Sequence, residues 1–534
     1  MSLPPHVAWL IDHAPGLPPG ESGRLVQTHI SFVVLAGDRV YKVKKPVDFG
    51  FLDFTTADKR ARMCAAEVER NGRLSPDVYL GVEPIRPRGD GFTLGVGGPG
   101  DAEPIDYAVV MRRLPADGML ESILAEGRAT AAHARAVAEV LADFHLRAER
   151  GPAITEFGSR AVIEGNWTEN FEQTQDAIGD SIDRAAFDAI RAYVSRFLDG
   201  NAGLLRRRRD EGWIRDGHGD LKVTAVAFEP AAGAGPGDVR VLDCIEFNDR
   251  MRYGDVAADL AFLRMDFASR GRPDLADELL ARYLARTLDA DLPLLLPFYE
   301  CYRAYVVGKI STFAAADPHL AAADRETARN NARRHFQLAA GYAERGTGAR
   351  LMVVAGPSGS GKSTLATALA GRLGARWLSS DVVRKRLAGL DPTAASGSGV
   401  GTGLYDAATT ARTYDALLGE AETSLRDGQP VILDATFVDP AQRDAAAALA
   451  RRLGVPCDVL VCRASAEVVR ARMQLRAADP AAVSEGTWEV YERQRPAFDD
   501  VRLPPPARVH QIDSGEALAR SAPAALRLLR IAAS

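Results

Sequence analysis

At 534 residues, with 46% hydrophobic and 26% charged positions, the chain is too long for one hydrophobic core and too apolar for global disorder, so two or three folded domains are expected. A formal net charge of -5 lacks the overall basicity of a protein that coats nucleic acid. The five cysteines, Cys64, Cys244, Cys301, Cys457 and Cys462, are scattered and form no CxxC pair, which argues against a zinc knuckle or a disulfide framework.

The start, MSLPPHVAWLIDHAPG, has no basic leader before an apolar core, and no later run is long and apolar enough for a bilayer. A cytoplasmic protein with reduced cysteines and no membrane partner is the expectation. SFVVLAGDRVYKVKKPV (31–47) reads as two strands around an Ala-Gly-Asp turn, followed by a helix from Thr56 to Arg73. A further strand pair is expected to flank the Gly/Pro-rich stretch 95–104 and to end in DYAVVM (106–111). Helical spacing dominates 119–145 and 181–209. Strand signals return in HGDLKVTAVAF (218–228) and VRVLDCIEF (239–247), before helices from Asp255 to Glu344.

ERGTGAR (344–350) reads as a domain boundary, giving domains of 1–345 and 350–534. Beyond it, strand-like runs at 351–355, 376–380, 430–434 and 457–462 alternate with helical runs, the pattern of a parallel sheet covered by helices. The Gly/Ser-rich stretch 395–403 reads as a loop within that domain. Arg206 to Arg209 end a helical run and read as a solvated basic face.

GPSGSGKST (356–364) lies between a strand and a helix, which is the context that makes G-x-x-x-x-G-K-[ST] a phosphate-binding loop. Gly356, Ser358, Gly359, Ser360 and Gly361 would cradle phosphates with backbone N–H groups, and Lys362-Ser363-Thr364 opens the helix. Lys362 would reach the β- and γ-phosphates of ATP and Ser363 would hold Mg²⁺. Asp434, closing the apolar run 429–434, is placed to organise the Mg²⁺ as a Walker-B-type acid. Asp381 follows the next strand and comes to the same sheet edge, where it is either a base for an attacking hydroxyl or the N-cap of the following helix.

With Lys362, the pair Asp381 and Arg384, and Asp434-Ala435-Thr436, the segment 350–513 resembles the polynucleotide-kinase and zeta-toxin-like group of P-loop kinases. The resemblance implies an α/β P-loop NTPase fold and phosphoryl transfer to a hydroxyl, with Asp381 as base and Arg384 as an anion-holding substrate contact. The run 467–476 would then supply lid arginines from among Arg470, Arg472 and Arg476, unless these are a solvated helix face.

His218-Gly219-Asp220, then Leu242-Asp243-Cys244 and Gly254-Asp255 through Asp259-Leu260-Ala261, resemble the aminoglycoside-phosphotransferase family over residues 25–340. The resemblance implies a bilobal, protein-kinase-like α+β fold with Asp220 catalytic and Asp243 binding metal. Lys42 and Lys44 share one strand face. One of them, Lys44 by preference, is expected to bind phosphate and to pair with Glu67, with Met111 in an interlobe hinge. The metal-binding Asn of such a catalytic loop is replaced by Ala225, so Asp243 holds an ion alone, Glu246 or Asn248 substitutes, or the domain binds nucleotide without efficient transfer. His218 reads as a residue that shapes the loop. The expected partner is a small hydroxylated molecule; nucleic-acid ends are the rival acceptor, and a nucleotide-sensing regulator is the non-catalytic alternative.

Overall fold

The computed structural model describes residues 3–50, 52–95, 102–344, 348–390, 403–477, 486–505 and 507–529. The expected loop 395–403 lies outside them except for Gly403. They pack as two compact units, 1–158 with 209–259, and 159–208 with 260–534. Packing therefore does not divide at residues 345–350: the helices that precede that point cluster with the P-loop sheet.

In the first unit, the described residues form a six-stranded antiparallel sheet in the order Arg24–Gln27, Ser31–Ala36, Arg39–Lys44, Asp106–Arg112, Tyr79–Arg88, Gly91–Leu94. Alternating side chains give the sheet two apolar faces. Helix Ala57–Gly72, capped by Thr56 on the Lys59 amide, lays Cys64 against Val78, Tyr79, Val109 and Met111 on one face. Helix Pro5–His13, which was not expected, lays Val7 and Leu10 against Phe32, Val34, Tyr41 and Val43 on the other. The hairpin before the central strand turns at Gly89-Asp90, upstream of the expected stretch. Of 218–228, only Val226–Phe228 is strand, because the amides of His218 and Gly219 are taken by the Asp259 carboxylate rather than by a neighbouring strand. Likewise only Val239–Val241 of 239–247 is strand.

The second unit contains helices Arg160–Gln173, Arg184–Gly200, Pro273–Thr287, Leu292–Ala316 and Ala322–Ala343. Trp167, Phe171, Phe298 and Tyr305 interlock edge-on and stacked among them. Among the described residues its sheet has five strands, all parallel, in the order Arg376–Ser379, Val431–Asp434, Leu351–Ala355, Cys457–Arg463, Arg508–Asp513. The last of these strands was not anticipated.

Helix Lys362–Leu373 follows the central strand and packs on helix Pro273–Thr287 so closely that a Cβ on Gly371 would lie 2.2 Å from Leu280. The solvated-face reading holds for exposed Arg206 and is corrected at Arg208, which is buried against Asp289 at 2.5 Å; half-buried Arg207 and Arg209 pair with Asp291 and Glu156. All five cysteines are buried and unpaired. No helix among the described residues is long and apolar enough to cross a membrane.

Candidate active sites

The P-loop site is built by chain reversal at the carboxyl edge of the parallel sheet. After Leu351–Ala355 the backbone turns and enters helix Lys362–Leu373 through Gly361, the left-handed N-cap at φ 89°. An L side chain there would be strained, and its Cβ would meet the Arg472 guanidinium at 2.7 Å. The helix N-terminus thus presents free backbone donors and a positive dipole end to the loop.

Lys362 is buried to nine-tenths, and its ammonium makes no hydrogen bond among the described residues. The buried hydroxyls of Ser358 and Ser360 also lack partners. A cation and two hydroxyls without partners beside a helix N-terminus fit a polyphosphate, which supplies anionic oxygens to all of them. Thr364 lies exposed in the first helical turn.

Ser363 donates its hydroxyl to Asp434 Oδ1 at 3.1 Å, and the indole N–H of Trp377 donates to Asp434 Oδ2 at 3.3 Å. Burial pushes the Asp434 carboxyl up to about 6, against the attraction of Lys362. Two oxygen donors, one a carboxylate whose charge is costly when buried, suit Mg²⁺, which takes few protein ligands plus phosphate and water.

Asp381 lies in the first turn of helix Ser380–Leu387, whose N-cap is Ser379. It is not the cap residue, and its carboxylate accepts no hydrogen bond among the described residues. Ser379 registers with Asp434 across the two strands, so both acids sit at one sheet edge. Arg384 is buried one turn on; it donates to Leu404 O at 2.9 Å and Thr410 Oγ1 at 3.1 Å, stacks on Tyr405, and leaves its Nε without a partner.

The arginines of helix Ala466–Ala477 divide their work. Arg472 donates to Ser360 O at 3.1 Å and Ser514 O at 2.6 Å, so it shapes the phosphate loop. Arg476 bonds Gly486 O and feels the Asp381 charge. Arg470 stacks on Trp488. Sequence reasoning missed Gln494, whose Oε1 accepts from the Ser358 amide at 2.8 Å, and Tyr414, whose hydroxyl takes the Phe437 amide at 3.1 Å where φ is 50°. Only tertiary packing reveals them.

In the first unit, both lysines of the strand Arg39–Lys44 reach Glu67, as their shared face requires. Lys44 is fully buried between Glu67 at 2.6 Å and Glu246. Lys42 joins Glu67 at 2.7 Å to Asp243 at 3.1 Å and keeps some exposure. The expected pairing of Lys44 with Glu67 is present, and Lys42 is the one of the two that also reaches Asp243. Glu246 pairs with Lys44, and the Asn248 side chain caps the helix Asp249–Arg252 by accepting from the Arg250 amide.

Asp243 stands exposed at φ 59°, its amide donating to the Tyr79 hydroxyl. Asp220 pairs with Lys222 at 2.9 Å. Met111 is packed in the apolar cluster under helix Ala57–Gly72. Buried His218 bonds Leu242 O at 2.9 Å and supports the Asp220 amide; burial lowers its pKa, so it holds the loop as a neutral ring.

A family model described as an AAA domain matches residues 351–500. The uncharacterized protein Rv2004c of Mycobacterium tuberculosis is 36% identical over 461 residues, 84% of this chain and 86% of that one. The uncharacterized protein Mb2027c of Mycobacterium bovis matches at the same identity and coverage. Among solved structures, the GDP complex of aminoglycoside 2'-phosphotransferase-IIIa is similar at 13% identity, with 63% of this chain and 96% of that chain covered and a TM-score of 0.39. A gluconokinase of Sinorhizobium meliloti is similar at 22% identity, with coverage of 34% and 92% and a TM-score of 0.23. By its own elements the first unit is α+β, built on an antiparallel sheet, and the C-terminal part is an α/β P-loop domain with a parallel sheet.

Proposed function

The chain belongs to one family with these mycobacterial proteins, and for it we propose an ATP-dependent phosphotransferase that moves the γ-phosphate to a hydroxyl of a small molecule. One observation carries the reading: the unpartnered Lys362 ammonium, the Ser363–Asp434 pair and the unbonded Asp381 carboxylate stand at the edge of the same parallel sheet. Lys362 and the loop amides hold the phosphates. Ser363 and Asp434 are the residues that would hold Mg²⁺, which would neutralise phosphate charge during transfer. Asp381 takes the proton of the acceptor hydroxyl, and Arg384 orients the acceptor through its remaining donor.

For the N-terminal unit we propose nucleotide binding by Lys42 and Asp243, with Asp220 as base for a second transfer. A regulatory, non-transferring reading of that unit is favoured by one feature, the buried Ala225 where a metal-binding Asn would stand, with Glu246 already neutralised. A net charge of -5 supports a small acceptor over nucleic acid and a cytoplasmic setting is consistent with five unpaired thiols.

Mass-spectrometric screening of metabolite and oligonucleotide pools for an ATP-dependent gain of phosphate tests the reading. A phosphorylated small molecule that disappears with Lys362→Ala is expected. Phosphorylation of oligonucleotide ends alone, with strong salt dependence, would replace the acceptor class.

A further inference from the structure

The two oxygens of Asp434 are not equivalent. We propose that Trp377 is a positioning residue for cation binding, pinning one oxygen so that the other faces Ser363. The inference rests on the Mg²⁺-nucleotide reading of this site and deepens it.

Strand Arg376–Ser379 lies parallel to Val431–Asp434, with Trp377 opposite Ile432 and Ser379 opposite Asp434. The indole therefore reaches along the strand to the carboxylate from its buried side. Trp377 is 6% exposed and Asp434 2%. Indole offers one N–H and no acceptor, so its bond to Oδ2 at 3.3 Å can only be a donation. Oδ1 takes the Ser363 hydroxyl at 3.1 Å. Among the described residues these are the two hydrogen bonds of the carboxylate, and together they fix its rotation.

The strand that carries the indole is itself fixed. The Trp377 amide donates to Ala290 O at 3.3 Å, and Arg376 pairs with Asp291 at 2.9 Å. Such partners of a ligating group change metal affinity about 10–100-fold when removed, because they set the ligand's orientation. A tryptophan present only for packing would be replaced by phenylalanine with no effect on the cation.

The test uses the full chain carrying Asp243→Ala, which silences the acid of the N-terminal unit, and follows Mn²⁺ binding in the presence of ADP by electron paramagnetic resonance. ADP-dependent Mn²⁺ binding that Asp434→Asn removes is expected in this parent; its absence would overturn the nucleotide reading and the inference with it. Adding Trp377→Phe should weaken Mn²⁺ binding about 10–100-fold while metal-free ADP binding stays the same. Unchanged Mn²⁺ binding in that folded variant would overturn the inference alone. A second readout does not depend on the variant folding. 5-Fluorotryptophan placed at position 377 alone should show a fluorine resonance that shifts on adding Mg²⁺ with ADP, and not in Asp434→Asn. A resonance indifferent to Mg²⁺ in a chain that binds Mn²⁺ would equally overturn it.

Discussion

Arg372, in the last turn of the P-loop helix, donates from both Nε and Nη2 to Asp277 Oδ2, at 2.9 and 2.6 Å. Asp277 is buried in helix Pro273–Thr287, so the phosphate-binding helix is bolted to a segment that the sequence assigns to the preceding domain. Burial raises the Asp277 pKa and Arg372 opposes that rise. Removing one partner of such a pair leaves a buried charge and costs about 3–5 kcal/mol. Arg372→Ala in the full chain should lose that much stability in denaturant melts, and the fragment 350–534, which lacks Asp277 and Leu280, should be less stable still. A fragment as stable as the intact chain would show that this packing is dispensable.

Lys42 and Lys44 should separate in function. Lys44→Ala leaves Glu246 without its buried cation and Glu67 with Lys42 alone, and should cost about 3–5 kcal/mol. Lys42→Ala should cost less stability and weaken nucleotide binding by the N-terminal unit, since Lys42 faces the exposed Asp243. Calorimetric titration of both variants in a Lys362→Ala background checks the ranking, and the reverse order would return the phosphate role to Lys44.

Asp434 sets a pH dependence of the metal-free protein. Its folded carboxyl holds a proton up to about pH 6, whereas the unfolded chain releases it near the ordinary value of 3.8. Between those values the folded state binds more protons, so stability falls as pH rises from about 4 to about 6 and the loss is complete above that. This loss of stability is on the order of 2–3 kcal/mol. Asp434→Asn should remove it, raising the melting temperature of the metal-free protein above pH 6 relative to the parent while abolishing nucleotide turnover at the P-loop. Parallel pH profiles for parent and variant would contradict the burial argument.

What the sequence made legible was local. The P-loop could be read because eight consecutive positions from Gly356 to Ser363 carry the whole instruction, and Asp434 because an apolar strand announces its own end. The shared face of Lys42 and Lys44 followed from period two, but period two cannot say which lysine is sealed in; that depends on Glu246, some 200 residues away. Arg208 looked like solvent because its partner Asp289 lies 81 residues on. Strand Arg508–Asp513 is half-buried or exposed at all but Ile512, so its pattern is faint, and only pairing with Cys457–Arg463 defines it. Trp377 and Gln494 carry no motif, and their roles exist only once strand register and loop closure bring them to Asp434 and Ser358.

If Lys362, Asp434 and Asp381 form one transfer centre, Asp381→Asn separates proton uptake from folding and nucleotide binding. Ser379 is the helix N-cap, so this substitution should leave the fold intact while removing the proton acceptor. With the acceptor from the metabolite screen, transfer of labelled γ-phosphate should fall about 10²–10⁴-fold, because proton transfer is made only in the transition state. ATP affinity by calorimetry should stay near that of the parent. Undiminished transfer by a folded Asp381→Asn protein would remove Asp381 from the transfer centre.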